Sequence, residues 1–175
     1  MQNMNIKLGY IEESKDDIIV NAANKHLYEG GGVCGAIFRK AHDKGLAKEC
    51  AEIIRARGSL KDGEVAVTGG YNTNAKYIIH AVDPVYVDGN HGERDALYAC
   101  YINALNETQN LGCRTITFPA ISSGIFGYPK HEAWQVAFEA VRDWQQKHDY
   151  EVAVTFYVNS QKSKDIADNV LADMN

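Results

Sequence analysis

Asn21 and Asn24, with only alanines between them, stand shortly before three consecutive glycines, Gly30, Gly31 and Gly32. Next comes Val33-Cys34-Gly35-Ala36-Ile37-Phe38, whose apolar spacing is that of a helix start. A glycine loop that opens a helix offers bare backbone N–H groups to an anion. The stretch reads as a grip for a phosphate-bearing ligand. A second glycine-bearing loop runs from Pro119 to Pro129 and holds Ser122, Ser123, Gly124, Ile125 and Phe126.

Other chemistries fit less well. Gly30-x-Gly32-x-x-Gly35 matches a dinucleotide fingerprint, yet seven residues, Ala23 to Glu29, separate it from the preceding apolar run. No Gly-Lys-Ser or Gly-Lys-Thr follows, which excludes a Walker loop. Ser122 and Ser123 lie outside any Gly-x-Ser-x-Gly elbow, because position 120 is alanine. The four cysteines, Cys34, Cys50, Cys100 and Cys113, lack the close pairing of zinc or redox motifs. They read as reduced thiols of a cytoplasmic protein, with no metal and no cofactor expected.

These loops need a frame. The 175 residues predict one domain over 1–175 with a full core. A net charge of −5 argues against a nucleic-acid coat, and no apolar run approaches a membrane span. MQNMNIKLGY does not resemble a secretory leader. Strands are expected at 4–8, 17–22, 64–68, 77–82, 115–118 and 152–158. Helices are expected at 33–44, 46–57 (with Gly45 as the break), 93–109, 131–148 and 165–171. The alternation predicts a three-layer α/β/α sandwich with a mixed, largely parallel sheet. Both glycine loops then follow strands, at the carboxyl edge where ligands bind in open α/β sheets. His80, inside a strand, reads as a satisfied core histidine, and Asn21 as structural.

The residues carry a further likeness. Asn21-Ala22-Ala23-Asn24, Leu27, the Gly-Gly-Gly-Val of 30–33, Gly69-Gly70-Tyr71-Asn72, Ile79-His80 and the run Phe118 to Pro129 together resemble a macro domain. The resemblance covers nearly the whole chain. It implies binding of ADP-ribose or of an ADP-ribosylated protein. It assigns one side of the diphosphate to the backbone of Gly32, Val33 and Cys34. The other side falls to Ser122, Ser123, Gly124, Ile125 and Phe126. Asn24 would bond the distal ribose hydroxyls and Phe126 would lie against that ribose. A turn asparagine and a core aromatic are the plainer readings of these two. The Ile11 backbone would serve the adenine end, with Asn159 as a further candidate.

Departures from the family pattern bear on activity. Gly9-Tyr10-Ile11 lacks the aspartate that caps the adenine amino group, and Asp83 replaces a usual glycine. Cys34 and Phe38 stand where the common hydrolase branch has aspartate and histidine. Alphavirus macro domains resemble this chain in having Gly-Val-Cys there. Their proposed mechanism is substrate-assisted, with a water near the α-phosphate. Cys34 as a thiolate nucleophile is a further option, since a helix N-terminus lowers a thiol pKa. Three classes stay open: a slow hydrolase of ADP-ribosyl or O-acetyl-ADP-ribose esters, a non-catalytic reader, and a binder of a related nucleotide or RNA end.

Overall fold

The computed structural model describes residues 3–41, 44–121 and 126–175. The strands are β1 (Met4–Leu8), β2 (Ile18–Ala23), β3 (Val65–Gly69), β4 (Tyr77–Val82), β5 (Thr115–Phe118) and β6 (Ala153–Val158). The helices are α1 (Gly32–Ala41), α2 (Lys44–Arg57), α3 (Glu93–Asn110), α4 (Lys130–Lys147) and α5 (Gln161–Met174), with a 3-10 turn at Ile11–Glu13. The strands form one sheet in the order β1-β6-β5-β2-β4-β3. All pairings are parallel except β3 with β4. The expected sandwich and its mixed, largely parallel sheet are both found.

Strand alternation divides the interior in two. Ile18, Val20, Ile79, Ala81, Ile116, Phe118, Val154 and Phe156 face α3, α4 and α5. Ile19, Ile78, Val82 and Ala66 face α1 and α2. β2 is buried along nearly its whole length, because helices cover both faces. On α3, Leu97, Cys100, Tyr101, Ala104 and Leu105 follow the helical period onto one side. Phe118 and Phe138 both pack on Phe156, with ring centroids 5.7 and 5.3 Å away, filling the larger core. Each ring buried this way contributes on the order of 1.5–3 kcal/mol.

Most boundaries fall within a few residues of the sequence reading, and two of the differences have a local cause. Gly45 does not break the helices but lies in the first turn of α2, where glycine costs little. α5 begins at Gln161 rather than 165, because Ser160 caps it by accepting the Ser163 N–H at 3.1 Å. Glu93 opens α3 with a separate anchor. Its carboxylate accepts the N–H groups of Val87, Asp88, Gly89 and His91 at 2.6 to 3.1 Å.

Candidate functional site

A cleft of about 560 Å³ opens where the parallel strands end. Gly9, Tyr10 and Ile11 follow β1, Pro119 and Ala120 follow β5, and Asn159 follows β6; all line it. The opposite wall is one face of α1, where Gly32, Val33, Ala36 and Arg39 recur at helical spacing. Lys130 and Trp134 of α4 and Ser163 and Ile166 of α5 complete it.

Local backbone explains why glycines build the α1 end. Gly32 has φ +55°, a left-handed conformation that side chains strain to adopt, and the space beyond it is open. Its helix presents first-turn N–H groups that have no partner within the helix. Gly35 is needed for a different reason. A β-carbon there would stand 2.6 Å from the Gly30 carbonyl oxygen. Two cations, Arg39 and Lys130, face the cleft, and neither is ion-paired among the described residues. A diphosphate would meet both backbone N–H groups and positive charge here.

Of the residues predicted from sequence, Ile11, Gly32, Val33 and Asn159 line this cleft. Ser122, Ser123, Gly124 and Ile125 lie outside the described residues. Phe126 is half-buried and does not line the cleft; its carbonyl accepts the Tyr86 N–H at 2.9 Å. Asn24 and Cys34 do not line it either. The Asn24 amide is occupied within its own loop. Its Oδ1 accepts from the backbone of His26 at 3.1 Å and Tyr28 at 3.0 Å, and its Nδ2 donates to the Tyr28 carbonyl at 2.9 Å. This is the geometry of a turn asparagine.

Cys34 is buried beneath the glycine loop. Burial pushes its thiol pKa up, helped by Glu29, against the lowering effect of hydrogen bonds from Asn21 and Gly30. The low thiol pKa expected at a helix N-terminus is therefore reversed, because desolvation outweighs the helix end. His80 is fully buried, which holds its pKa down at about 4, so its imidazole is neutral. Phe38 is buried against the α1/α2 core.

Arg39, Lys130, Trp134, Ser163 and Glu12 are cleft residues that the sequence reading passed over. For Arg39 the signal was present: it lies on the helical face of Gly32 and Ala36. For Lys130, Trp134 and Ser163 there was none, since only the packing of α4 and α5 brings them to the cleft. Tyr10, at the place of the missing aspartate, lines the cleft but is 66% exposed.

The macro domain family model matches residues 20–137. A macro domain-containing protein of Xanthomonas axonopodis pv. citri is 42% identical over 142 residues, covering 80% of this chain and 79% of the relative. The O-acetyl-ADP-ribose deacetylase of Escherichia fergusonii is 36% identical over 163 residues, covering 93% of this chain and 92% of the relative. The Oceanobacillus iheyensis macrodomain solved with ADP superposes with a TM-score of 0.91 at 34% identity, covering 97% of this chain and 90% of that one. Among the described residues, no helix is long and apolar enough to cross a membrane.

Proposed function

This chain belongs to the macro domain family, and from that premise we propose that it binds ADP-ribose, free or protein-linked, and hydrolyses mono-ADP-ribosyl or O-acetyl-ADP-ribose esters slowly. We read residues 1–175 as one such domain acting in the cytoplasm. The observation that carries the reading is the cleft at the carboxyl ends of β1, β5 and β6. It runs between the glycine-bearing face of α1 and a wall that supplies Lys130 and Asn159. The likeness to a deacetylase of O-acetyl-ADP-ribose and to a macrodomain holding ADP supports the same ligand class.

The chemistry follows from what the cleft offers. Backbone N–H groups at Gly32 and Val33, with Arg39 and Lys130, would hold the diphosphate and neutralise it. Asn24 would take the distal ribose, its amide exchanging loop partners for sugar hydroxyls. A water held near the α-phosphate would then attack the anomeric or acyl carbon, and positioning would supply most of the acceleration. Slowness follows from Cys34 and Phe38. The first is a protonated thiol turned inward and the second is apolar, so neither orients or deprotonates the water. General-base help of about 10²–10⁴-fold is forgone.

A pure reader is the second reading, favoured by the buried state of Cys34 and by the occupied amide of Asn24. Calorimetry with ADP-ribose, ADP and AMP, then turnover on a mono-ADP-ribosylated protein and on O-acetyl-ADP-ribose, separates these outcomes. Binding with turnover above the no-enzyme control supports the hydrolase. Tight binding with no turnover leaves the reader. Absence of ADP-ribose binding at millimolar concentration removes both.

A further inference from the structure

Cys34 sits where three hydrogen bonds meet. Its Sγ accepts the Gly30 N–H at 3.4 Å and the Asn21 Nδ2–H at 3.5 Å, and its S–H donates to the Tyr28 carbonyl at 3.6 Å. That same carbonyl receives the Asn24 amide. The thiol and the amide thus hold one peptide group from two sides.

Behind the thiol lies a buried relay. Asn21 and His80 stand side by side on β2 and β4, both turned to the α1/α2 face. Asn21 Nδ2 lies 3.1 Å from His80 Nδ1, and His80 Nε2 lies 3.0 Å from Thr68 Oγ1. With Nδ1 accepting from the amide, the imidazole proton is on Nε2 and goes to Thr68, whose hydroxyl donates to the Gly69 carbonyl at 3.1 Å. Asn21 Oδ1 is buried with no hydrogen-bond partner among the described residues. Leaving a carbonyl oxygen bare in the core is unfavourable. The arrangement tolerates it while aiming both amide protons at His80 and Cys34.

We infer that Cys34 is a positioning residue: its thiol ties the 24–30 loop, through the Tyr28 carbonyl, to the buried Asn21–His80 pair, and so sets where Asn24 stands. The role needs the S–H proton, and burial keeps the thiol protonated. It differs from nucleophilic attack, which needs the thiolate.

The test compares Cys34→Ala, Cys34→Val and Cys34→Ser with wild type. The valine fills the sulfur's space without a donor and serves if the alanine variant fails to fold. The serine restores a donor. Two quantities are read: amide hydrogen exchange at Tyr28 and Gly30 in the free protein, and the ratio of ADP-ribose to ADP affinity. Only the second rests on the ADP-ribose reading. With the loop untied, exchange at both amides should speed by about tenfold in the alanine or valine variant and return towards wild type in serine. The ADP-ribose preference over ADP should fall by about tenfold, because the distal ribose contact is disturbed. Unchanged exchange at Tyr28 and Gly30 in a folded valine variant overturns the inference. So does a serine variant that behaves like alanine. If wild type binds ADP but shows no preference for ADP-ribose, the distal-ribose reading fails, while the exchange measurement still decides the role of Cys34.

Discussion

Arg39 lies folded back over Gly35, its Nη1 2.9 Å from the point where a β-carbon at position 35 would stand. The Gly30 carbonyl oxygen crowds the same point from the backbone side. The guanidinium is the end of a flexible chain and can move; the carbonyl belongs to the glycine loop and moves only with it. Gly35→Ala should therefore shift the loop itself. We expect it to weaken ADP-ribose binding by about tenfold or more, a larger loss than Arg39→Gln produces. Calorimetry on the two variants ranks them, and an alanine variant that binds like wild type would show that the loop accommodates the methyl group.

At Gly32 the space is open but the conformation is left-handed. Gly32→Glu combines backbone strain with a carboxylate placed on the proposed anion-binding face of α1. ADP-ribose binding should become undetectable at millimolar ligand in a protein with an unchanged circular dichroism spectrum. Equal binding would remove the diphosphate from this end of the cleft.

Charge in the cleft predicts salt dependence. Arg39 and Lys130 are exposed, so each is screened, and replacing either by glutamine should weaken ADP-ribose by about two- to fivefold at low salt. The difference from wild type should shrink as salt is raised towards 1 M, where the Debye length is only about 3 Å. Titrations at two ionic strengths test this, and a loss independent of salt would mean that the side chains act by shape.

Tyr10 lines the proposed adenine end, where the family resemblance implies a carboxylate. If nothing replaces its function, wild type should distinguish ADP-ribose from its inosine analogue only weakly. Tyr10→Asp should then add a charge-assisted hydrogen bond worth about 1.5–3 kcal/mol to the adenine ligand alone. Discrimination by wild type of about a hundredfold would instead assign the base to another cleft residue, Glu12 or Asn159.

Glu93 predicts behaviour in acid. Burial alone would raise its pKa, but the N–H groups of Val87, Gly89 and His91 outweigh burial and lower it from 4.5 to about 2. A carboxylate with a depressed folded-state pKa contributes stability that is complete above the unfolded value. That contribution is lost as pH falls from about 4.5 towards 2. Glu93→Gln should lower the melting temperature at pH 7, and the gap to wild type should close over that acid range. A gap that is constant with pH would mean that the loss does not depend on the charge of the carboxylate.

Much of this was legible in the sequence, for physical reasons. The Ile18-Ile19-Val20 run reads as a strand because both faces of β2 are covered. The period of Leu97, Cys100, Tyr101 and Ala104 shows α3 because only one side of it is. What was illegible depends on contacts distant in sequence. Nothing near Lys130 or Trp134 points to a cleft, because α4 reaches it through packing on distant elements, among them Phe156 of β6. Asn24 could bond a sugar or its own loop; its amide chemistry suits both, and only the position of Tyr28 decides. Burial reversed the expectation for the Cys34 thiol, because a helix N-terminus is evident in sequence and the desolvation around it is not.

The pairing of β1 with β6, Met4 against Val154 through Leu8 against Val158, joins the two ends of the described chain inside one sheet. Gly9, Tyr10 and Ile11 leave one of these strands and Asn159 leaves the other, so this end of the cleft, the proposed place of the base, is built from β1 and β6 together. During synthesis the N-terminal strand has no neighbour until the last strand emerges, and loops that long close late in folding. The glycine end of the cleft can form earlier, from β2 and α1. On the proposed placing of the ligand, a growing chain would acquire its phosphate grip before its nucleobase pocket.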